Sequence, residues 1–192
     1  MSTPFELFDL ITKGNAGELA ALLEREPDLA GARNEQGDSV LLAAIYNGRG
    51  EIVDSLLDRG AKPDLFEASA LGRIDLVRAI LDQDPSRVRA YSHDGWTALH
   101  LAAFFGRADV ARELLARGAE VNARSRSERF AKTNTPLHAA AANKQNGVAT
   151  LLVEHGADFN AKDGSGFTPL GLAANNHNDL LVIHLLELGA RV

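Results

Sequence analysis

Gly95-Trp96-Thr97-Ala98-Leu99-His100-Leu101-Ala102-Ala103 does not stand alone in this chain. It returns as Thr135-Pro136-Leu137-His138-Ala139-Ala140-Ala141 and as Gly166-Phe167-Thr168-Pro169-Leu170-Gly171-Leu172-Ala173-Ala174, with a worn copy at Gly37-Asp38-Ser39-Val40-Leu41-Leu42-Ala43-Ala44. Two markers outside this stretch give the period. The first is a small-residue run closed by glycine, at Gly48, Gly72 and Gly106, spaced by 24 and 34 residues. The second is a Gly-Ala pair, at Gly60, Gly118, Gly156 and Gly189, spaced by 58, 38 and 33 residues. The two spacings of the first marker together equal the first spacing of the second. Both therefore report one repeat of roughly 33 residues, with one deletion and one insertion.

Each unit reads as two short helices. In the second, apolar residues fall at i, i+1, i+4 and i+5, as in Ile52, Val53, Leu56, Leu57 and in Val110, Ala111, Leu114, Leu115. That spacing makes one apolar stripe on a helix of 3.6 residues per turn. The same pattern runs through Leu76, Val77, Ile80, Leu81 and Leu181, Val182, Leu185, Leu186. The first helix is alanine-rich and can pack closely. One such unit cannot bury its own apolar face, and stacking of units can.

Composition limits the chemistry. The chain has 192 residues, which suits one domain with a continuous core. It has no cysteine, so disulfides and thiolate metal sites are excluded. The start of the chain has no basic segment leading into an apolar one, and no apolar run approaches the roughly 20 residues that cross a bilayer. The expectation is a soluble cytoplasmic protein without membrane contact. The net charge is −6. Residues 1–96 carry 10 basic and 17 acidic side chains, whereas residues 97–192 carry 10 and 9. An acidic first half argues against nucleic-acid binding, which needs clustered positive charge.

The quoted stretches resemble the ankyrin repeat, whose signature is Gly-x-Thr-Pro-Leu-His-x-Ala-Ala. Gly118-Ala119-Glu120-Val121-Asn122-Ala123 and Gly156-Ala157-Asp158-Phe159-Asn160-Ala161 are similar to its closing stretch. The resemblance covers the whole chain and implies an all-α repeat solenoid of helix-turn-helix units with short β-hairpin fingers, forming a single domain over residues 1–192. The repeats fall at about 4–33, 34–62, 63–90, 91–123, 124–161 and 162–192, the first serving as a cap. The third loses about nine residues, so that Lys62-Pro63-Asp64-Leu65 runs almost straight into a helix and a finger should be missing. The fifth gains about five, making a long basic finger around residue 128.

The resemblance also implies where a partner binds: on the concave face of fingers and first helices. In the fourth repeat those positions hold Tyr91, His93, Asp94, Trp96, Phe104 and Phe105, and other repeats add Tyr46 and Phe167. Exposed aromatics on one face are the usual anchors of an interface, and Trp96 is the expected hot spot. Packing between helices is the other reading of these aromatics. Arg124, Arg126 and Arg129 alternate, so an extended finger would put them on one side, facing an acidic partner or the acidic half of a second copy. His100 and His138 sit at the signature histidine, which by resemblance bonds the neighbouring turn. The other histidines have no partner at metal-ligand spacing, and no phosphate loop, nucleophile elbow or zinc-protease motif occurs. The expected function is protein binding by a monomer, without cofactor or catalysis, centred on the fourth repeat. A pocket beside the missing finger, lined by His93, Asp94 and Trp96, would instead suit an enzyme or small-molecule binder. Pairing of the basic finger with the acidic half would make a self-associating scaffold.

Overall fold

The computed structural model describes residues 4–127 and 132–191. Among these residues the chain is all α, built from twelve short helices with no strand. It divides into two compact units, 1–67 and 68–192. The first holds α1 (Pro4–Lys13), α2 (Ala16–Arg25), α3 (Val40–Tyr46) and α4 (Gly50–Asp58). Helix α5 (Leu65–Leu71) begins in the first unit and ends in the second. The second continues with α6 (Ile74–Gln83), α7 (Ala98–Phe104), α8 (Ala108–Ala116), α9 (Pro136–Ala142), α10 (Asn146–Glu154), α11 (Pro169–Asn175) and α12 (Asp179–Glu187). The architecture is an all-α repeat solenoid. In the first unit α3 packs on α1 and α4 on α2; in the second α7, α9 and α11 form one row and α6, α8, α10 and α12 the other.

Side-chain size explains the two rows. Ala102, Ala103, Ala140 and Ala141 are fully buried and let the first helices approach closely. The second helices bury the expected stripe, through Ile52, Val53 and Leu56, then Val110, Ala111 and Leu114, then Leu181 and Leu185. Leu186 departs from it and is 53% exposed. Helix α12 is the last helix described, and no described helix covers that flank. The same helix carries Leu180 and Ile183, exposed by 74% and 55%. The matching positions hold Glu51 and Asp54 in α4, Asp75 and Arg78 in α6, and Asp109 and Arg112 in α8.

Successive helix pairs are clasped by side chains that bond backbone carbonyls. Arg49, just before α4, donates to the carbonyls of Ile11 (3.3 Å) and Thr12 (2.7 Å). Arg107, just before α8, does the same to Ala70 at 2.8 Å. Asn143 donates to Phe104 O at 2.7 Å, and Asn122 to Gly156 O at 3.1 Å. The carbonyls of Thr12, Ala70 and Phe104 are orphans of a last helical turn, and these bonds satisfy them. On the outer face Arg117 pairs with both Asp82 and Glu113, and Arg78 also pairs with Glu113. The hydrogen bond from Arg78, reinforced by Arg117, holds the Glu113 carboxyl below its usual range.

Among the described residues the expected β-hairpin fingers are not formed as strands. Residues 34–37, 92–95 and 163–166 are single turns closed by a bond from the glycine N–H to the first residue's carbonyl, at 2.9–3.0 Å. One further pair follows, from Asn34 N–H to Asp38 O, Ser92 N–H to Trp96 O and Asp163 N–H to Phe167 O. Beyond it lie only the isolated bridges Arg33–Ser39 and Tyr91–Thr97. The reason is spacing. The helix cap, Ser39, Thr97 or Thr168, comes two residues after each turn glycine, so the backbone becomes helical before a ladder can extend.

Where the third repeat is short, a different device starts the helix. Asp64 Oδ1 accepts from the N–H groups of Phe66 and Glu67, and Glu67 Oε2 accepts from Asp64 N–H at 2.8 Å. This reciprocal capping box satisfies the first turn without a preceding hairpin. Glu67 is buried, and its other oxygen accepts from the Ser39 hydroxyl. Burial, and then the charge of Asp64, push its carboxyl above the usual range.

Gly95 and Gly166 make equivalent turns, with φ of +83° and +85°. A Cβ at Gly95 would run into the backbone of Arg126 and Ser127, whereas at Gly166 it would meet nothing. Gly166→Ala should cost only the left-handed penalty of about 1–2 kcal/mol, and Gly95→Ala about 1–3 kcal/mol more from overpacking. Urea denaturation of both variants measures the difference; equal losses would mean that the close approach is not tight.

Candidate functional site

The fourth and fifth repeats each carry a capping box at the start of the first helix. Thr97 caps α7, its side chain accepting from His100 N–H, while His100 Nδ1 accepts from Thr97 N–H at 3.3 Å. His100 Nε2 lies 3.1 Å from Asn134 O. A carbonyl only accepts, so the imidazole is neutral with its proton on Nε2. His138 repeats the arrangement with Thr135, reaching Phe167 O at 3.0 Å. Both rings are buried, which disfavours the charged form. Burial brings His100 down to about 4, and His138 is lowered for the same first reason.

Trp96 is 3% exposed. This corrects the expectation of an exposed hot spot. The turn locks its backbone, with Ser92 Oγ accepting from Trp96 N–H (3.0 Å) and Ser92 N–H donating to Trp96 O (2.7 Å). Its indole lies against His100, with centroids 5.7 Å apart, and meets Phe104 edge-on at 5.5 Å and 75°. Phe104 in turn meets Phe105 at 5.1 Å and 82°. Phe104 and Phe105 are half-buried, so the aromatic row runs from the core toward the surface. Asp94 is also buried and accepts from Ser92 Oγ, while His93 is exposed. Asp94 and Trp96 thus belong to the turn framework.

Tyr91 is half-buried and donates its hydroxyl hydrogen bond to Arg124 O at 3.1 Å. The Arg126 guanidinium sits 3.8 Å over the Tyr91 ring centroid. Arg126 N–H donates to Gly95 O at 2.8 Å, so both partners in the stack are pinned. Arg124 and Arg126 are exposed and alternate with buried Ser125 and Ser127. Their roles differ, because Arg124 spends its guanidinium on the carbonyls of Thr133 (3.0 Å) and Lys162 (2.5 Å). Arg129 and the middle of the long finger lie outside the described residues. Phe167 is 42% exposed on the next hairpin turn, and Tyr46 is half-buried at the end of α3 in the first unit.

Beside the Tyr91–Arg126 stack lies a groove of about 210 Å³, lined by Val88, Arg89, Tyr91, Thr97, Glu120 and Arg126 with Ala119 and Ala123. Sequence reasoning missed Arg89 and Glu120, which lie outside the signature in the closing stretches of two repeats. A groove of similar volume in the first unit is lined by Gly14, Ala16 and residues 48–52. No group of three His, Asp or Glu side chains placed to hold a metal ion occurs among the described residues. No described helix is long and apolar enough to cross a membrane.

The capping boxes, paired helices and clasped turns have a counterpart among known families. The family model for the ankyrin repeat matches residues 94–126, and the model for three successive ankyrin repeats matches residues 124–192. This chain belongs to the ankyrin-repeat family. It is similar to an ankyrin repeat protein of fowlpox virus, 28% identical over 173 residues, which is 85% of this chain and 38% of that protein. It is also similar to the neurogenic locus Notch protein of Drosophila melanogaster, 36% identical over 144 residues, 74% of this chain and 5% of that protein. The serine/threonine-protein kinase VIK of Arabidopsis thaliana matches 48% of this chain at 39% identity, over 20% of its own length. The chain spans well under half the length of each of these relatives.

The histidine clasps carry a pH signature. An unfolded histidine titrates near 6.5. Between that value and about 4 the unfolded chain takes up a proton that buried His100 refuses. The stability contributed by neutral His100 is therefore complete above pH 6.5 and drains away as pH falls toward 4, by about 3 kcal/mol at most. Glutamine at this position can still complete the capping box. His100→Gln should keep the fold and flatten the fall of the urea midpoint between pH 7 and 4.5. An unchanged slope would place the acid sensitivity elsewhere.

Proposed function

We propose that this chain is a protein-interaction module that engages its partner on the face formed by the turns and first helices, centred on the fourth repeat. The observation that carries this reading is the aromatic row Trp96–Phe104–Phe105, buried at its inner end and half-exposed at its outer end. A ring held edge-on against a buried tryptophan loses little entropy when a partner covers it, which is what makes a rigid aromatic a good anchor. The reading adds Tyr91, His93, Arg126 and Phe167, all exposed or half-buried, to the same face. Tyr46 is the corresponding position in the second repeat. Family membership supports protein binding in general, since repeat solenoids present extended surfaces. A cysteine-free chain suits a reducing compartment, and we assign the protein to the cytoplasm as a monomer in isolation. The reading requires no cofactor and no catalysis.

Two variants separate anchor from core. Trp96→Ala should destabilise the protein by about 3–5 kcal/mol, as for a buried aromatic, and so cannot report on binding. Phe104→Ala/Phe105→Ala should stay folded by circular dichroism and lose proteins that wild type captures from native lysate. Arg112→Ala, on the exposed side of α8, should retain them. Identical capture by all three folded proteins would take the fourth repeat out of the interface.

A further inference from the structure

The groove beside the Tyr91–Arg126 stack has a chemistry more specific than a general binding face. Its volume, about 210 Å³, lies below the roughly 300–1,000 Å³ of sites that enclose a drug-sized molecule. It matches one or two inserted side chains. Two guanidinium groups line it, and both are exposed. Arg126 forms no ion pair among the described residues, and its guanidinium lies 3.8 Å over the Tyr91 ring centroid. Among the described residues Arg89 gives only its Nε–H, to Gly118 O at 3.4 Å. Glu120 lines the same groove and lies beyond ion-pair distance of either arginine. Among the described residues both guanidinium groups therefore keep N–H groups for a visitor, and Arg126 is held over Tyr91.

A stacked guanidinium keeps its N–H edge free while its face is covered, and that edge matches a carboxylate in a planar, two-bond geometry. Pre-orientation removes part of the ordering cost of binding. Val88, Ala119, Ala123 and the Tyr91 ring supply an apolar wall for the methylenes of the entering side chain. A nucleic-acid backbone fits less well: it would lay successive phosphates past Glu120, on a chain of net charge −6.

We infer that this groove receives a carboxylate side chain from an extended acidic segment of the protein partner, held between Arg89 and Arg126. The inference rests on the interaction-module reading and adds to it the charge of what is bound. Glu120 sets a limit on the segment, excluding a second carboxylate from its own end of the groove.

The test is a titration of the full 15N-labelled chain with a decaglutamate peptide, with decaglutamine as the neutral control. Decaglutamate should move the Nε–Hε signals of Arg89 and Arg126 and the amide signals of Tyr91, Ala119 and Ala123. It should bind at least tenfold more tightly than decaglutamine at low salt, and weaken as salt is raised. Arg126→Ala and Arg89→Ala should each weaken binding at least fivefold. Arg126→Lys, which keeps the charge and loses the fork, should fall between wild type and alanine, and Arg112→Ala should change nothing. Equal binding of the two peptides, or indifference to Arg126→Ala, would overturn the inference. So would tighter binding of decathymidylate, or a salt-sensitive dimer that Arg126→Ala dissolves, which would make the occupant a second copy. The two readings fail separately. A lysate partner that depends on Phe104 and Phe105 but is kept by Arg89→Ala/Arg126→Ala sinks the carboxylate site alone. Tight decaglutamate binding by a protein that captures no partner supports the groove and sinks the module.

Discussion

The hydrogen bond from a buried, neutral imidazole to the backbone carbonyl of the following repeat governs the second compact unit. His100 and His138 each use one ring nitrogen to complete their own helix cap and the other to hold the next turn. A single side chain thereby fixes where a helix starts and where its neighbour sits. The Asn134 carbonyl that accepts from His100 also accepts from Ser125 N–H, so the ends of the long finger are drawn to the same point. Apolar burial drives the helices together without specifying register. The directional bonds from histidine, arginine and asparagine to carbonyls supply the register.

Much of this was legible in the sequence because periodicity reports what repeats. The second-helix stripe, the alanine-rich first helices and the two bonding histidines could all be placed from spacing and family resemblance. The fate of Trp96 could not. Whether the residue after a turn glycine faces solvent or core depends on the turn's closure, here by Ser92, and not on residue type. The fingers were over-read for a related reason: the family pattern suggests a hairpin, while the distance from turn glycine to cap leaves room for one bridge. The Asp64–Glu67 capping box was present as Asp-x-x-Glu, but it falls where residues are missing from the pattern and was read only as a gap.

The candidate site shows the same division. The spacing of Arg124, Arg126 and Arg129 suggests one side of an extended segment; Arg124 and Arg126 are both exposed, and Arg129 lies outside the described residues. The different duties of Arg124 and Arg126, one clamping carbonyls and the other stacked on Tyr91, depend largely on Lys162 and Tyr91, each more than thirty residues away. Arg89 and Glu120 were invisible for that reason too, since a groove formed by two closing stretches has no local signature.

Glu67 occupies the place in its helix that histidine holds in α7 and α9, three residues after the cap. It reverses the polarity of the contact, accepting from the Ser39 hydroxyl where the histidines donate. Its titration is reversed as well. A carboxyl raised above its unfolded value favours the folded state more as pH falls, while the lowered histidines favour it less. At these three groups a proton therefore strengthens the first compact unit and loosens the second.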